Sequence, residues 1–138
     1  MMLRREKRAE HRGGFTLMEM LVVVAIIVIL AGAAVPIYFN QMNEARRGRA
    51  KMDVTTIAAQ LEAYNLKSGS YPDGLESLTE APPGGVAYLK PEALMDPWSR
   101  PYQYDKNGTH NAAYGKPDVW STGSNANDPT NIIGNWSQ

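Results

Sequence analysis

Few side chains in this chain have the types and spacing that catalysis or metal binding requires. There is no cysteine, which excludes thiol catalysis and zinc–thiolate sites. The two histidines, His11 and His110, lie far apart in the chain, and no Ser-His-Asp, HExxH, P-loop or Rossmann glycine pattern is present. We therefore expect that the protein is not an enzyme.

The chemistry that remains is concentrated where a basic segment meets an apolar one, at Gly14-Phe15-Thr16-Leu17-Met18-Glu19. A glycine before a helix leaves the backbone extended and open to a protease, so the Gly14–Phe15 peptide bond is a candidate cleavage site. Glu19 is a carboxylate in an apolar run, and an unpaired charge near mid-membrane costs about 2.5–3.5 kcal/mol. Glu19 therefore either reaches the headgroups from the helix end or pairs with a cation.

The segment after this junction is apolar over residues 15–35, except for Thr16 and Glu19. At about 1.5 Å per residue, a helix of this length spans about 31 Å, close to the roughly 30 Å hydrocarbon core of a bilayer. A buried helix of a soluble protein is the alternative, but residues 21–30 contain no polar side chain on any face. We predict a transmembrane helix over residues 15–35.

An ordinary signal peptide is a second interpretation of the same segment, because Ala31-Gly32-Ala33 is typical of a cleavage site after an apolar run. Glu19 argues against it, since a carboxylate inside the apolar stretch has no purpose in a discarded leader. We therefore predict that the leader is residues 1–14, and that cleavage leaves the apolar helix attached as an anchor.

The helical pattern continues beyond Pro36, which tends to kink a helix rather than always ending it. Apolar residues recur at steps of four, three, four and three and form one stripe, which comprises Ala50, Val54, Ile57, Leu61 and Tyr64. This pattern predicts one long helix over residues 15–66, which Ser68-Gly69-Ser70 ends.

The rest of the chain predicts a small antiparallel sheet packed on this helix, which is an α+β architecture. We expect a short helix within residues 74–79, a hairpin turn at 105–108, a loop over 122–135, and strands near 102–104, 112–114 and 118–121. The three tryptophans, Trp98, Trp120 and Trp136, are expected to cover the helix stripe.

Charge is distributed unevenly along the chain. Residues 1–14 carry five basic and two acidic side chains, whereas the whole chain has a formal net charge of zero. The remainder is therefore mildly acidic and lacks the basic patch that nucleic-acid binding requires. We expect no nucleic-acid partner.

The motif over residues 14–19, with its basic leader and apolar sequel, resembles the prepilin peptidase site of type IV pilins and type II secretion pseudopilins. The resemblance implies cleavage between Gly14 and Phe15 and methylation of the new amino terminus of Phe15. It also implies that Glu19 neutralises the terminal amine of an adjacent subunit during assembly.

Motifs along the rest of the chain are similar to those of the major pseudopilins of type II secretion, and they comprise Ser70-Tyr71-Pro72, Tyr88-Leu89, Asp96-Pro97-Trp98-x-x-Pro101-Tyr102-x-Tyr104 and Gly134-Asn135-Trp136. The resemblance implies a type IV pilin-like fold with a periplasmic domain over residues 36–138, anchored in the bacterial inner membrane. It further implies a homopolymer that works with minor pseudopilins and an inner-membrane platform in protein export. A type IV pilin and a membrane-anchored periplasmic binding module that never polymerises are the alternatives.

The resemblance also implies a calcium site in the loop that follows the third predicted strand. That loop begins Ser121-Thr122-Gly123-Ser124-Asn125, and the family pattern assigns as ligands the Thr122 carbonyl, Asn125, Asp128 and Asn131. Asn125 replaces an expected aspartate and Ile132 another acid, so one carboxylate remains for an ion that prefers six to eight oxygens. The alternative is a polar loop closed by hydrogen bonds between side chains and backbone.

Overall fold

A computed structural model describes residues 13–136. The elements of this part are one long α-helix, α1 (Leu17–Ser68), three strands, β1 (Gln103–Asp105), β2 (Asp118–Ser121) and β3 (Ile133–Gly134), and four 3-10 helices at Leu75–Leu78, Pro91–Leu94, Ala112–Tyr114 and Pro129–Asn131. The predicted leader lies outside the described residues up to residue 12, as does His11.

Helix α1 lies within two residues of its predicted bounds at each end and continues through Pro36. It ends at Gly69, which has a φ of +76°, a left-handed conformation that glycine adopts without strain. The helix contributes to two compact units that divide at Phe39 and Asn40. In the first unit, α1 contains a stretch long and apolar enough to cross a membrane, and none of that stretch is buried.

The second unit has its core on the predicted helix stripe. Four stripe residues are buried, and the core also takes side chains from the first 3-10 helix and from the sheet region: Ala50, Val54, Ile57, Leu61, Leu75, Leu78, Tyr102 and Val119. Complete burial of one aliphatic side chain contributes about 1.5–3 kcal/mol. The periodicity of the apolar residues therefore identified the helix face that holds this unit together.

Tyrosines, and not tryptophans, cover this core. The partly buried residues packed against it include Tyr64, Tyr71, Tyr88 and Tyr104, together with Leu89 and Leu94. The prediction that the three tryptophans cover the stripe is wrong. In β2 the reason is the alternation of side chains, because Val119 is buried in the core and its neighbour Trp120 consequently lies on the opposite face.

The sheet is antiparallel with the order β1-β2-β3. Tyr104 is aligned with Val119 between β1 and β2, and Trp120 is aligned with Gly134 between β2 and β3. The prediction of β2 is confirmed, and that of β1 is confirmed with a shift of one residue.

Two predictions about connecting segments are wrong. Residues 112–114 form a 3-10 helix instead of a strand, and this helix ends at Gly115, whose φ is +62°. Residues 122–135 are not wholly a loop, because Pro129–Asn131 is helical and Ile133–Gly134 is strand β3. A two-residue strand is too short to produce an alternating pattern that sequence reasoning can detect.

Candidate functional site

The predicted cleavage bond lies in exposed backbone ahead of the helix. Residues 13–16 are not helical, and Phe15 is 82% exposed. Among the described residues, no heavy atom other than those of its chain neighbours lies within 4 Å of where a Cβ on Gly14 would be. The bond between Gly14 and Phe15 is therefore sterically open to a protease.

Thr16 and Glu19 form a reciprocal hydrogen-bonded cap on the first turn of α1. The backbone N–H of Thr16 donates to Oε2 of Glu19 at 2.8 Å, and the Thr16 hydroxyl donates to the same oxygen at 3.2 Å. In return, the backbone N–H of Glu19 donates to the Thr16 hydroxyl at 3.2 Å. This is a capping box, which satisfies two of the amides that a helix start leaves without partners.

The capping box adds a third role for Glu19 to the two that the sequence suggested. Losing such a cap typically costs about 1 kcal/mol, which is less than burial of an unpaired charge. Thr-x-x-Glu before an apolar run is the known sequence signature of this cap, so the signal was available and was missed.

The Asp96-to-Tyr104 motif contains a tight turn that Asp96 organises. Asp96 is 5% exposed, and its Oδ1 accepts hydrogen bonds from the backbone amides of Trp98 at 3.0 Å and Arg100 at 2.9 Å. Its Oδ2 accepts from the hydroxyl of Ser121 at 2.6 Å. Asp96 thus ties this turn to the end of β2, where the predicted ion-binding loop begins.

The two tyrosines of the same motif fix other parts of the second unit. The Tyr102 hydroxyl donates to Oδ2 of Asp53 on α1 at 2.9 Å, and the Tyr104 hydroxyl donates to the carbonyl of Pro72 at 2.8 Å. Burial, together with the bond to Asp53, raises the pKa of Tyr102, and burial raises the pKa of Tyr104 to about 12. Both hydroxyls consequently remain donors at any physiological pH.

A second buried carboxylate, Asp118, organises the connection between β1 and β2. Asp118 is 1% exposed and accepts hydrogen bonds from the backbone amides of His110 at 2.7 Å and Asn111 at 3.1 Å. It also accepts from the Asn111 side chain at 2.8 Å and lies 3.0 Å from Nδ1 of His110. Sequence reasoning did not identify Asp118, and it named Asp96 only as the first residue of a family motif, because no local pattern in a single sequence marks a buried carboxylate that holds a loop.

Asn135 and Trp136 contact the same connection between β1 and β2 and the beginning of β2. The Asn135 side chain accepts from the Val119 amide at 3.2 Å and donates to the Pro117 carbonyl at 3.0 Å. The Trp136 ring stacks on the His110 ring, with centroids 3.9 Å apart. The Gly134-Asn135-Trp136 motif therefore closes the sheet.

The predicted calcium ligands lie in one segment, and three of them are linked by hydrogen bonds. Asp128 Oδ1 accepts from the amide of Thr130 at 2.9 Å and from its hydroxyl at 2.6 Å. Asp128 Oδ2 accepts from the Asn131 side chain at 2.9 Å, and the Asp128 amide donates to the Asn125 carbonyl at 3.2 Å. Thr122 follows β2 directly and is half-buried. The hydrogen bonds from Thr130 lower the pKa of Asp128, so this carboxylate is charged at neutral pH.

Comparisons with known proteins place this geometry in a family. A model described as type II secretion system, protein G, matches residues 37–136, and one described as the prokaryotic N-terminal methylation motif matches residues 11–35. The chain belongs to the protein G family of type II secretion systems.

Named relatives of the protein G family resemble the chain over most of its length. The type II secretion system core protein G of Pseudomonas aeruginosa is 38% identical, over 91% of this chain and 96% of its own. The corresponding protein of Vibrio cholerae is 31% identical, over 95% of this chain and 96% of its own. The crystal structure of the major pseudopilin of enterohaemorrhagic Escherichia coli matches with a TM-score of 0.56 and 25% identity, over 71% of this chain and 88% of that one. The pilin-like α+β fold is thereby confirmed.

The donor set in this protein G family member does not fit calcium well. Among residues 13–136, no three His, Cys, Asp or Glu side chains converge on a position that could hold a metal ion. Asp128 is the one carboxylate between residues 122 and 132, and both of its oxygens already accept hydrogen bonds. Asn125 Oδ1 is occupied as well, because it accepts from the Asn127 amide at 3.1 Å. Calcium binding stays a prediction that nothing here tests.

Proposed function

We propose that this protein is a structural subunit of the type II secretion pseudopilus, which polymerises in the periplasm and drives folded proteins across the outer membrane. The observation that carries this proposal is the protein G match over residues 37–136, next to an unburied apolar helix that begins at a prepilin-type junction. The subunit has no catalytic role and binds no nucleic acid. Its work is mechanical, and each copy contributes an apolar helix and a small domain.

The partners follow from this role. Prepilin peptidase cleaves and methylates the precursor at Gly14–Phe15, membrane lipid surrounds residues 15–35 before assembly, and further copies of the chain form the homopolymer. Minor pseudopilins and the inner-membrane platform complete the machine. The protein G match favours this function over a type IV pilin, and the cleavage motif favours it over an anchored binding module that never polymerises.

Function and processing are tested together in a deletion strain of the source bacterium that carries the wild-type chain or a variant. Wild type should restore exoproteins to the medium, and its mass should match residues 15–138 plus one methyl group. Gly14→Leu should keep the leader, because a side chain blocks the peptidase contact, and it should reduce secretion strongly. A wild-type mass that begins at Ala34 would establish a signal peptide instead.

Gly13→Leu is the matched control for this test. Gly13 is the neighbouring residue, and like Gly14 it has open space around its Cβ position. The Gly13→Leu variant should be processed normally, because the carbonyl group of the cleaved peptide bond belongs to Gly14 and not to Gly13. A deletion strain that secretes normally and loses surface pili would support the pilin function and contradict the proposal.

The proposed orientation places the leader in the cytoplasm and the domain in the periplasm, with a single inner-membrane span. The distribution of basic residues supports this orientation only weakly, because both sides of the span are basic. The leader has five basic residues, and the segment after the span has four, which are Arg46, Arg47, Arg49 and Lys51. The charges of the leader lie nearer the apolar segment than those of the second basic group, and the leader is synthesised first, so the leader is given more weight. Protease added to spheroplasts should digest residues 40–138, and full protection there would refute the orientation.

A further inference from the structure

We propose that two arginines, Arg47 and Arg100, hold the loop after β2 closed in the place where the resemblance implies calcium. This role of the two arginines is independent of the proposed function, because both lie in the second unit. Residues 122–132 offer a single carboxylate, which does not meet the needs of a divalent cation.

Both guanidinium groups donate to oxygens of this loop. Arg47 lies on α1, and its Nη1 donates to Oδ1 of Asn131 at 3.3 Å. Arg100 lies in the turn that Asp96 organises, and its Nη2 donates to the carbonyl oxygen of Gly123. Each arginine thus joins the loop to an element outside it, as an ion with ligands from several segments would.

The loop is shaped to receive Arg100 at its beginning. Ser121 links Asp96, which organises the turn that contains Arg100, to Gly123, whose carbonyl accepts from Arg100. The Ser121 hydroxyl donates to Asp96 at 2.6 Å and accepts from the amide of Gly123 at 3.0 Å. Gly123 has a φ of +70°, and a Cβ there would collide with the backbone of Asn131. The two ends of the loop therefore touch at Gly123, next to both arginine contacts.

The two arginines and a calcium ion are alternative partners for the oxygens of this loop, because all of them are positively charged. A guanidinium group keeps its proton in proteins, so Arg47 and Arg100 place two fixed positive charges on oxygens of this loop. Asp128 is the loop's one carboxylate, and it is already bonded to Thr130 and Asn131. A divalent cation would need those oxygens, and it would gain little from a single carboxylate in the presence of two like charges.

The first test compares calcium with chelator on the full mature chain in mild detergent. All three tryptophans lie in residues 98–136, so intrinsic fluorescence reports unfolding of the second unit without truncation. The melting temperature should be the same in millimolar calcium chloride and in chelator, and calorimetric titration with calcium chloride should show no binding. A calcium-dependent rise in melting temperature that Asp128→Ala abolishes would overturn the proposal, whether or not any arginine variant folds.

The second test removes each guanidinium group and keeps its aliphatic stem. Arg47→Met and Arg100→Met should each lower the melting temperature by several degrees, equally with and without calcium. Arg46→Met is the matched control, because Arg46 is the adjacent residue on α1 and is exposed, and it should leave the melting temperature unchanged. Arginine variants as stable as this control would refute the role of the two guanidinium groups.

Discussion

Asp118→Ala is expected to lower the free energy of unfolding of the second unit by about 3 kcal/mol. The carboxylate is 1% exposed and holds the backbone amides of His110 and Asn111. Alanine supplies no acceptor, so the backbone amides of His110 and Asn111 both lose the carboxylate that accepts their hydrogen bonds. The Asn111 side chain keeps its hydrogen bond to Oδ1 of Asn135 at 3.1 Å. For a domain of about 100 residues, the melting temperature should fall by roughly 12–24 °C.

The measurement is unfolding of the full chain in detergent, followed by tryptophan fluorescence. Asp73→Ala is the matched control, because Asp73 is 96% exposed and pairs with Lys106 at 2.6 Å. Exposed ion pairs contribute about 0–1 kcal/mol, so this variant should unfold close to wild type. Equal stability of the two variants would mean that Asp118 does not organise the connection between β1 and β2.

The fold could be predicted from the sequence where its determinants are periodic. The stripe from Ala50 to Leu61 recurs at helical spacing, so the length of α1 and its buried face were both accessible. The apolar run of residues 15–35 is likewise a property of composition. Neither inference needs knowledge of what packs on the helix.

The connections could not be predicted in the same way, because their determinants are contacts between residues far apart in the chain. Residues 112–114 were expected to form a strand. Asp118 instead holds the amides of His110 and Asn111 in a turn, and this turn leads into a 3-10 helix. The arginine contacts of the loop after β2 join residues 84 and 23 positions apart. No local pattern records such pairs.

Glu19 is expected to be essential for assembly if its charge pairs with the terminal amine of a neighbouring subunit. Removing one partner of a buried ion pair typically costs about 3–5 kcal/mol. Each joining subunit would incur that cost, so the assembly constant should fall by roughly two to four decades. Glu19→Leu should still insert in the membrane and be cleaved, since the Gly14–Phe15 bond is intact, but it should fail to form filaments and to support secretion.

The capping box requires a variant that separates the charge from the cap. Glu19→Gln removes the charge and keeps an oxygen that can accept from the Thr16 amide, as Oε2 of Glu19 does at 2.8 Å. Thr16→Val does the reverse, because it keeps the carboxylate and removes the hydroxyl that bonds the Glu19 amide at 3.2 Å. The two variants therefore differ in which contribution they lose, within one turn of the same helix.

Charge pairing predicts that Glu19→Gln fails like Glu19→Leu, and that Thr16→Val assembles almost normally with a loss of about 1 kcal/mol at the helix end. If Glu19 acts only as a cap, Glu19→Gln should assemble almost normally and Thr16→Val should be the more impaired of the two variants. The measurement is cross-linking of neighbouring subunits in membranes, scored beside secretion, with intact mass to establish that every variant is processed. Normal cross-linked ladders and normal secretion in both Glu19 variants would exclude both the pairing role and an essential cap. They would leave Glu19 as a side chain that only reaches the headgroups from a passive anchor.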